Sequence, residues 1–204
     1  MTLTTEKGKS NKIHIYADGE YICTVYDTVW YTSGIREGDN VSDEELAFLT
    51  GEAGFRSAYE GALRILSIRA HGTQELKRKL AAKYDSESID RAVEKLAEDG
   101  YLDDEEYARQ LAAELYERKK WAVNRISREL RYRGIDGEIV KIVTETLDNN
   151  PVMRIILVLE KKYAGSLDSE KGVRRAYAAL QRMGYSASDI AAAFSEMEVD
   201  LNEG

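Results

Sequence analysis

The chain of 204 residues has one cysteine, one proline and two histidines. Each scarcity excludes something. A lone Cys23 cannot close an internal disulfide, and it reads as a reduced, half-buried strand residue rather than a catalytic thiol. His14 lies in a strand-like stretch and His71 at a helix end. Neither has a carboxylate or cysteine at ligand spacing, so no zinc site is expected. No apolar run approaches the roughly 20 residues that a membrane helix needs. Met1 to Asn11 is polar and carries no apolar signal core, so secretion is not expected and a cytoplasmic location is. Neither a Gly-rich phosphate loop nor a nucleophile elbow occurs, so the chain is not expected to be an enzyme or to hold a cofactor. Pro151 stands alone as a helix breaker, which suits a chain made mostly of helix.

What is present is a period. Hydrophobic residues make up 43% of the chain and charged residues 32%, the balance of a folded, charge-rich protein. Leu80, Leu130 and Leu180 recur at equal spacing, and their surroundings recur with them. Glu75 to Leu80 aligns with Arg125 to Leu130 and with Arg175 to Leu180. Gly134 and Gly184 each close the helix before them. Ile89 and Val93 match Ile139 and Val143, and Ile190 and Phe194 follow one residue late. Such a spacing marks stacked copies of one supersecondary unit, which present surfaces to macromolecules more often than they enclose small molecules.

The fold expected is mainly α, an elongated array of three tandem three-helix repeats with a small N-terminal β-hairpin region. Residues 1–55 form the hairpin region and a short helix, and the repeats span 56–102, 103–150 and 151–204. Lys12 to Tyr16 alternates, Asp18-Gly19 is a hairpin turn, and Glu20 to Val25 resumes the strand. Val29-Trp30-Tyr31 adds a third strand or leads into a loop. Ser42 and Glu45 make a capping box that opens the short helix. From residue 56, Tyr59, Ala62, Leu63 and Leu66 give the first repeat an apolar helical face. His71-Gly72 ends that helix, and Thr73 and Ser86 cap the next two. In the second repeat Asp103 caps the helix of Tyr107, Leu111 and Leu115, Ile126 and Leu130 mark the next, and Asp136 caps the last. Pro151 opens the third repeat, a helix near Val173 to Met183 follows, and Ser186 caps the final one.

The net charge of −8 argues against sequence-independent coating of DNA. It hides an alternation. Residues 56–83 carry about +5, residues 84–107 about −8, and residues 108–134 about +5, so the front of each unit is basic and its back acidic. The acids Asp103 to Glu106 read as helix N-terminal charge favoured by the macrodipole, not as a metal cluster, because consecutive positions do not converge on one ion. The basic helices are the stronger candidates for binding. Arg125, Arg128 and Arg131 spread over one broad face, away from Ile126 and Leu130. Arg133, Lys119 and Lys120 flank them. Trp121 either stacks on a base or partner side chain or wedges between two helices. Arg174, Arg175 and Arg182 hold the equivalent helix of the third unit, and Lys77, Arg78 and Lys79 that of the first.

Leu66-Ser67-Ile68-Arg69, His71, and Glu75-Leu76 with Leu80 resemble the opening block of the RecX regulatory proteins. Gly100-Tyr101-Leu102-Asp103-Asp104, Tyr107-Ala108, Arg125-Ile126, Glu129-Leu130 and Arg133-Gly134-Ile135 are similar to their central block. The resemblance covers about residues 56–148, and the third unit and N-terminal strands match more loosely. Gly72 departs from the serine usual after the histidine, and Ala122-Val123 from a Gly-Pro turn. The resemblance implies a modulator that binds the RecA filament on single-stranded DNA and inhibits RecA ATPase, strand exchange and coprotease activity. The residues expected to contact RecA or DNA, read from the basic stretches, are Arg69, Lys77, Arg78, Lys119, Lys120, Trp121, Arg125, Arg128, Arg131, Arg133, Arg174 and Arg175. A monomer with no metal and no membrane partner is expected. The alternative is a helical protein that binds single- or double-stranded DNA independently of RecA.

Overall fold

Alternating apolar residues near the N-terminus build a three-stranded antiparallel sheet of order β1-β2-β3, from β1 (Leu3–Lys7), β2 (Lys12–Ala17) and β3 (Glu20–Tyr26). The computed structural model describes residues 1–147 and 150–199. Asp148, Asn149 and residues 200–204, where the second and third repeats were expected to end, lie outside the described residues. Asp18 and Gly19 take positive φ of 49° and 86° at the expected turn between β2 and β3. The third strand is not Val29-Trp30-Tyr31. Those residues lie in helix α1 (Asp27–Thr32), and β1 supplies the strand, with Leu3 opposite Ala17. Of the three, only Trp30 is buried, and the Ser33 N–H donates to the Val29 carbonyl at 3.0 Å, the four-residue bond of a helical turn. Cys23 is buried under the sheet, and burial pushes its thiol pKa up to about 11, so it stays a neutral, unreactive thiol.

The described residues form two compact units, divided between Leu102 and Asp103. In the first, the capping box is present: the Ser42 N–H donates to Glu45 Oε2 at 2.9 Å and the Glu45 N–H to Ser42 Oγ at 3.2 Å. It opens not a short helix but α2 (Asp43–Leu66), 24 residues long, so the helix expected there and the helix expected from residue 56 are one. Within it Gly54 permits close packing, since a Cβ there would stand 2.3 Å from Ser88 Oγ on α4 (Ser86–Glu98). With α3 (Thr73–Leu80), these helices enclose a core of Ala62, Leu76, Leu80, Ile89, Val93 and Leu96. Gly72, not Thr73, occupies the cap of α3. Asp85, not Ser86, caps α4, accepting from the Ser88 N–H at 2.9 Å, and that bond holds its carboxyl below the usual range.

His71 is buried beside this core, only 5% exposed. Its Nδ1 lies 2.9 Å from the Arg69 carbonyl and therefore carries the proton, and its Nε2 faces Glu75 at 3.8 Å. Burial lowers its pKa from 6.5, more than the bond to Arg69 raises it. A depressed imidazole pKa favours the native state while the ring is neutral. The unfolded chain takes up the proton first, so this stability is lost as pH falls below 6.5. The thermal midpoint of the protein is expected to drop further between pH 7.5 and 5.5 in the wild type than in His71→Gln. Parallel pH profiles for the two would exclude a titrating His71.

The second unit holds α5 (Asp104–Ala113), α6 (Val123–Tyr132), α7 (Gly137–Glu145), α8 (Pro151–Lys162), α9 (Glu170–Met183) and α10 (Ala187–Glu196). Asp103, Asp136 and Ser186 cap α5, α7 and α10 as expected, and Pro151 starts α8. Ser169 caps α9, which begins ahead of Val173. The helix carrying Leu115 does not stay α-helical to its end. Glu114–Arg118 is a π-helical turn, and its extra residue lets the neighbours Leu115 and Tyr116 both be buried. Helices α5 to α7 close over Ile126, Leu130, Ile135, Val140 and Val143, and α8 to α10 over Ile155, Leu159, Leu180, Ile190 and Phe194. Leu80, Leu130 and Leu180 are thus equivalent core positions in three three-helix groups.

Candidate anion-binding face

Helix α6 is placed by its apolar side. Ile126 and Leu130 are fully buried, and with about 3.6 residues per turn Arg128 and Arg131 are left facing solvent. The start of the helix is fixed to the third helical group. The Ala122 N–H donates to the Met183 carbonyl at 2.9 Å, and the Tyr185 hydroxyl to the Lys120 carbonyl at 3.1 Å. Burial raises the Tyr185 pKa while Arg154 beside it pulls the other way, so the phenol keeps the proton it donates. Lys120 itself takes a left-handed φ of 58°, two residues ahead of Ala122-Val123, which stand in place of the Gly-Pro turn of the resemblance. Gly184 ends α9 at φ 94°, and Arg125 packs against it.

Arg154 completes the junction. Its Nη2 donates to the Tyr116 carbonyl at 2.8 Å, and its guanidinium lies 3.3 Å over the Tyr116 ring. Its Nε is buried without a partner. A cavity of about 440 Å³ opens between α6 and the starts of α8 and α10, walled by Arg128, Arg131, Arg154, Ser127 and Ser186. On the other side of Arg128 and Gly184, a second cavity of about 420 Å³ is lined by Arg125, Tyr132 and Arg182.

The structure sorts the twelve candidate residues. Arg128 and Arg131 are exposed and have no carboxylate partner among the described residues. Arg125 is half-buried, its guanidinium 3.7 Å from the Trp121 ring, which packs on the α5–α7 core. One Trp121 face is therefore already covered. Lys119 is exposed, and Lys120 pairs with Glu117 at 3.2 Å. Arg133 donates to Glu129 and to the Tyr107 hydroxyl, both at 2.9 Å. Burial works against its charge, but those two bonds raise its pKa all the same, and the side chain is an internal brace. Arg174 pairs with Glu170 at 2.6 Å on α9, whereas Arg175 is exposed beside it and shares a shallow hollow with Arg182. Arg69, Lys77 and Arg78 belong to the first unit. There Arg69 reaches Glu75 at 2.5 Å, Lys77 reaches Asp90 at 2.6 Å, and Arg78 bonds the Gln74 carbonyl. Thus Arg128 and Arg131 share one cavity with Arg154, which the sequence did not single out, while Arg125 lies on the far side of Arg128 against Trp121. The signal for Arg154 was present, since it is the single charge in the run Pro151 to Leu159.

Among the described residues no group of three or more His, Cys, Asp or Glu side chains is arranged to hold a metal ion. Asp103 caps α5 by accepting from the Glu106 N–H, and Glu105 pairs with Arg109. No described helix is long and apolar enough to cross a membrane.

The architecture is that of tandem three-helix domains presenting cationic helix faces. A family profile described as the first three-helix domain of RecX matches residues 58–96, and one described as the second matches residues 103–143. A regulatory protein RecX of Trichlorobacter lovleyi is 32% identical over 154 residues, covering 72% of this chain and 100% of that protein. One of Caldanaerobacter subterraneus is 31% identical over 169 residues, covering 79% and 83%. A crystal structure of regulatory protein RecX superposes with a TM-score of 0.68 at 18% identity, covering 95% of this chain and 98% of that one. Another, of RecX from Lactobacillus salivarius, gives 0.58 at 18% identity over 72% and 98%. The chain belongs to the RecX family of regulatory proteins, which is not a family of enzymes.

Proposed function

We propose that this protein works in the cytoplasm on the RecA filament assembled on single-stranded DNA, and that it holds down RecA ATPase, strand exchange and coprotease activity. Family membership supports a regulatory role. The observation that carries the reading further is the α6 face. The chain has 37 acidic against 29 basic residues, yet Arg128 and Arg131 stand without a carboxylate partner among the described residues. Exposed arginines in an acid-rich protein would normally be paired or screened, so an unpaired pair beside a cavity suits a partner of negative charge.

Titration of the protein into a RecA ATPase assay on single-stranded DNA tests this. Inhibition that saturates is expected. The double reversal Arg128→Glu with Arg131→Glu should raise the half-inhibitory concentration by about tenfold or more, since each lost charge contact costs about 1 kcal/mol or more. Both side chains are exposed, so the variant should keep its helical circular dichroism. An ATPase rate unmoved by saturating wild-type protein would remove the reading. Tight, salt-sensitive binding to bare DNA without that inhibition would favour a DNA-binding protein that acts independently of RecA.

A further inference from the structure

The cavity beneath α6 offers more donors than a single side-chain carboxylate uses. Arg128 and Arg131 stand three residues apart on α6 and both line it, with Ser127 beside them. Arg154 enters from α8, and Ser186 marks the start of α10. Pro151, the first residue of α8, is also in the wall, so helices of 12 and 10 residues both begin there. Their amide ends add positive potential to that of the arginines. One carboxylate lies among these groups. It is Asp189, which accepts the Ser186 hydroxyl at 2.5 Å. The remaining wall includes the apolar Ala122 and Val123.

We propose that this cavity seats one nucleotide of a DNA strand, its phosphate between Arg128 and Arg131 and its sugar and base edge against Ala122, Val123 and Pro151. The inference rests on the reading that this protein acts on a nucleoprotein filament, and it assigns this face to the DNA of that filament rather than to the protein. A planar carboxylate is satisfied by one guanidinium fork. A phosphodiester oxyanion takes donors from several directions, as the two α6 arginines and the Ser127 hydroxyl supply here, with the positive ends of two helices adding potential. The volume of about 440 Å³ lies in the range of small-ligand pockets, roughly 300–1,000 Å³, and exceeds the space of a carboxylate side chain. The overall charge of −8 opposes phosphates elsewhere on the surface, which confines the contact to this patch.

Fluorescence anisotropy with a labelled oligothymidylate of about 20 nucleotides, without RecA and at about 50 mM salt, tests the site. Arg128→Gln and Arg131→Gln should each weaken binding about 5- to 10-fold and reduce the slope of log K against log salt by about 0.7. Ser127→Trp should weaken it with no change of charge, because it fills the cavity, and Ser127→Leu gives the same reading if the larger residue prevents folding. Arg109→Gln, paired with Glu105 on α5, should bind as the wild type does. Unchanged affinity in both α6 variants would overturn the site. So would variants that lose inhibition of RecA yet keep the oligonucleotide, since the face would then meet protein. If wild-type protein leaves RecA untouched while the oligonucleotide results hold, the filament reading fails and the phosphate site stands.

Discussion

Leu130→Ala is expected to destabilise the unit formed by residues 103–199 by about 3 kcal/mol. Leu130 is fully buried, packed among Ile126, Ile135, Val140 and Tyr107. Removing three carbons from such a site loses their transfer free energy and leaves a cavity that the neighbours only partly fill. Comparable leucine truncations cost about 2–5 kcal/mol. Against a domain stability of about 5–15 kcal/mol, that is a large fraction. Urea unfolding should show a lower midpoint with an unchanged slope. Leu180→Ala should cost a similar amount, because Leu180 is equally buried in the corresponding core. Arg128→Ala, on the solvent side of the same helix as Leu130, should stay within about 0.5 kcal/mol of wild type. A loss below about 1 kcal/mol for Leu130→Ala would contradict its place in a packed core.

Gly184→Ala is expected to cost about 3 kcal/mol for two separable reasons. At φ 94° any side chain meets backbone strain of about 1–2 kcal/mol. A Cβ there would also stand 2.5 Å from the Cβ of Arg125, closer than carbon atoms approach, and relieving such overpacking costs about 1–3 kcal/mol. Gly100 isolates the first cause. Its φ is 78° and nothing lies within 4 Å of its Cβ position, so Gly100→Ala should lose only about 1 kcal/mol. The clash has its own signature. On the Gly184→Ala background, Arg125→Gly should recover part of the loss, and Arg125→Ala should recover less because it keeps the Cβ. Equal costs at Gly100 and Gly184 would rule out the contact between α6 and the end of α9.

Much of this architecture was legible because it is local. The helical groups follow from apolar residues recurring at 3 and 4, and from caps such as Asp103, Asp136 and Ser186. The hairpin follows from alternation and Asp18-Gly19. The misreadings share a cause. Val29-Trp30-Tyr31 looked like a strand because β-branched and aromatic residues favour strands, and burial of Trp30 alone fits either form, so only the backbone hydrogen bonds decide for a helix. The helix from Ser42 and the helix from residue 56 were read as two because no local signal shows that Gly54, between them, packs against Ser88 inside one continuous helix. Leu3 to Lys7 has too little apolar character to announce a strand, and pairing with β2 makes it one.

The candidate site divides along the same line. Its location on α6 was readable, since Ile126 and Leu130 orient the helix and the arginines take what remains. Glu129 and Arg133 are four apart, as are Glu170 and Arg174, so those pairings were also readable in principle. The bond from Arg133 to Tyr107 spans 26 residues and that from Arg154 to Tyr116 spans 38, and no local pattern encodes either.

The sequence by itself determined the three-helix period, the caps and the basic face of α6, because periodicity and capping act within a few residues. The tertiary structure alone decided that Arg133 braces α5 while Arg128 and Arg131 remain unpaired. It alone brought Arg154 and the starts of α8 and α10 to the same cavity. Pairing and enclosure depend on which distant groups share a few ångströms, and that is set only when the helices pack.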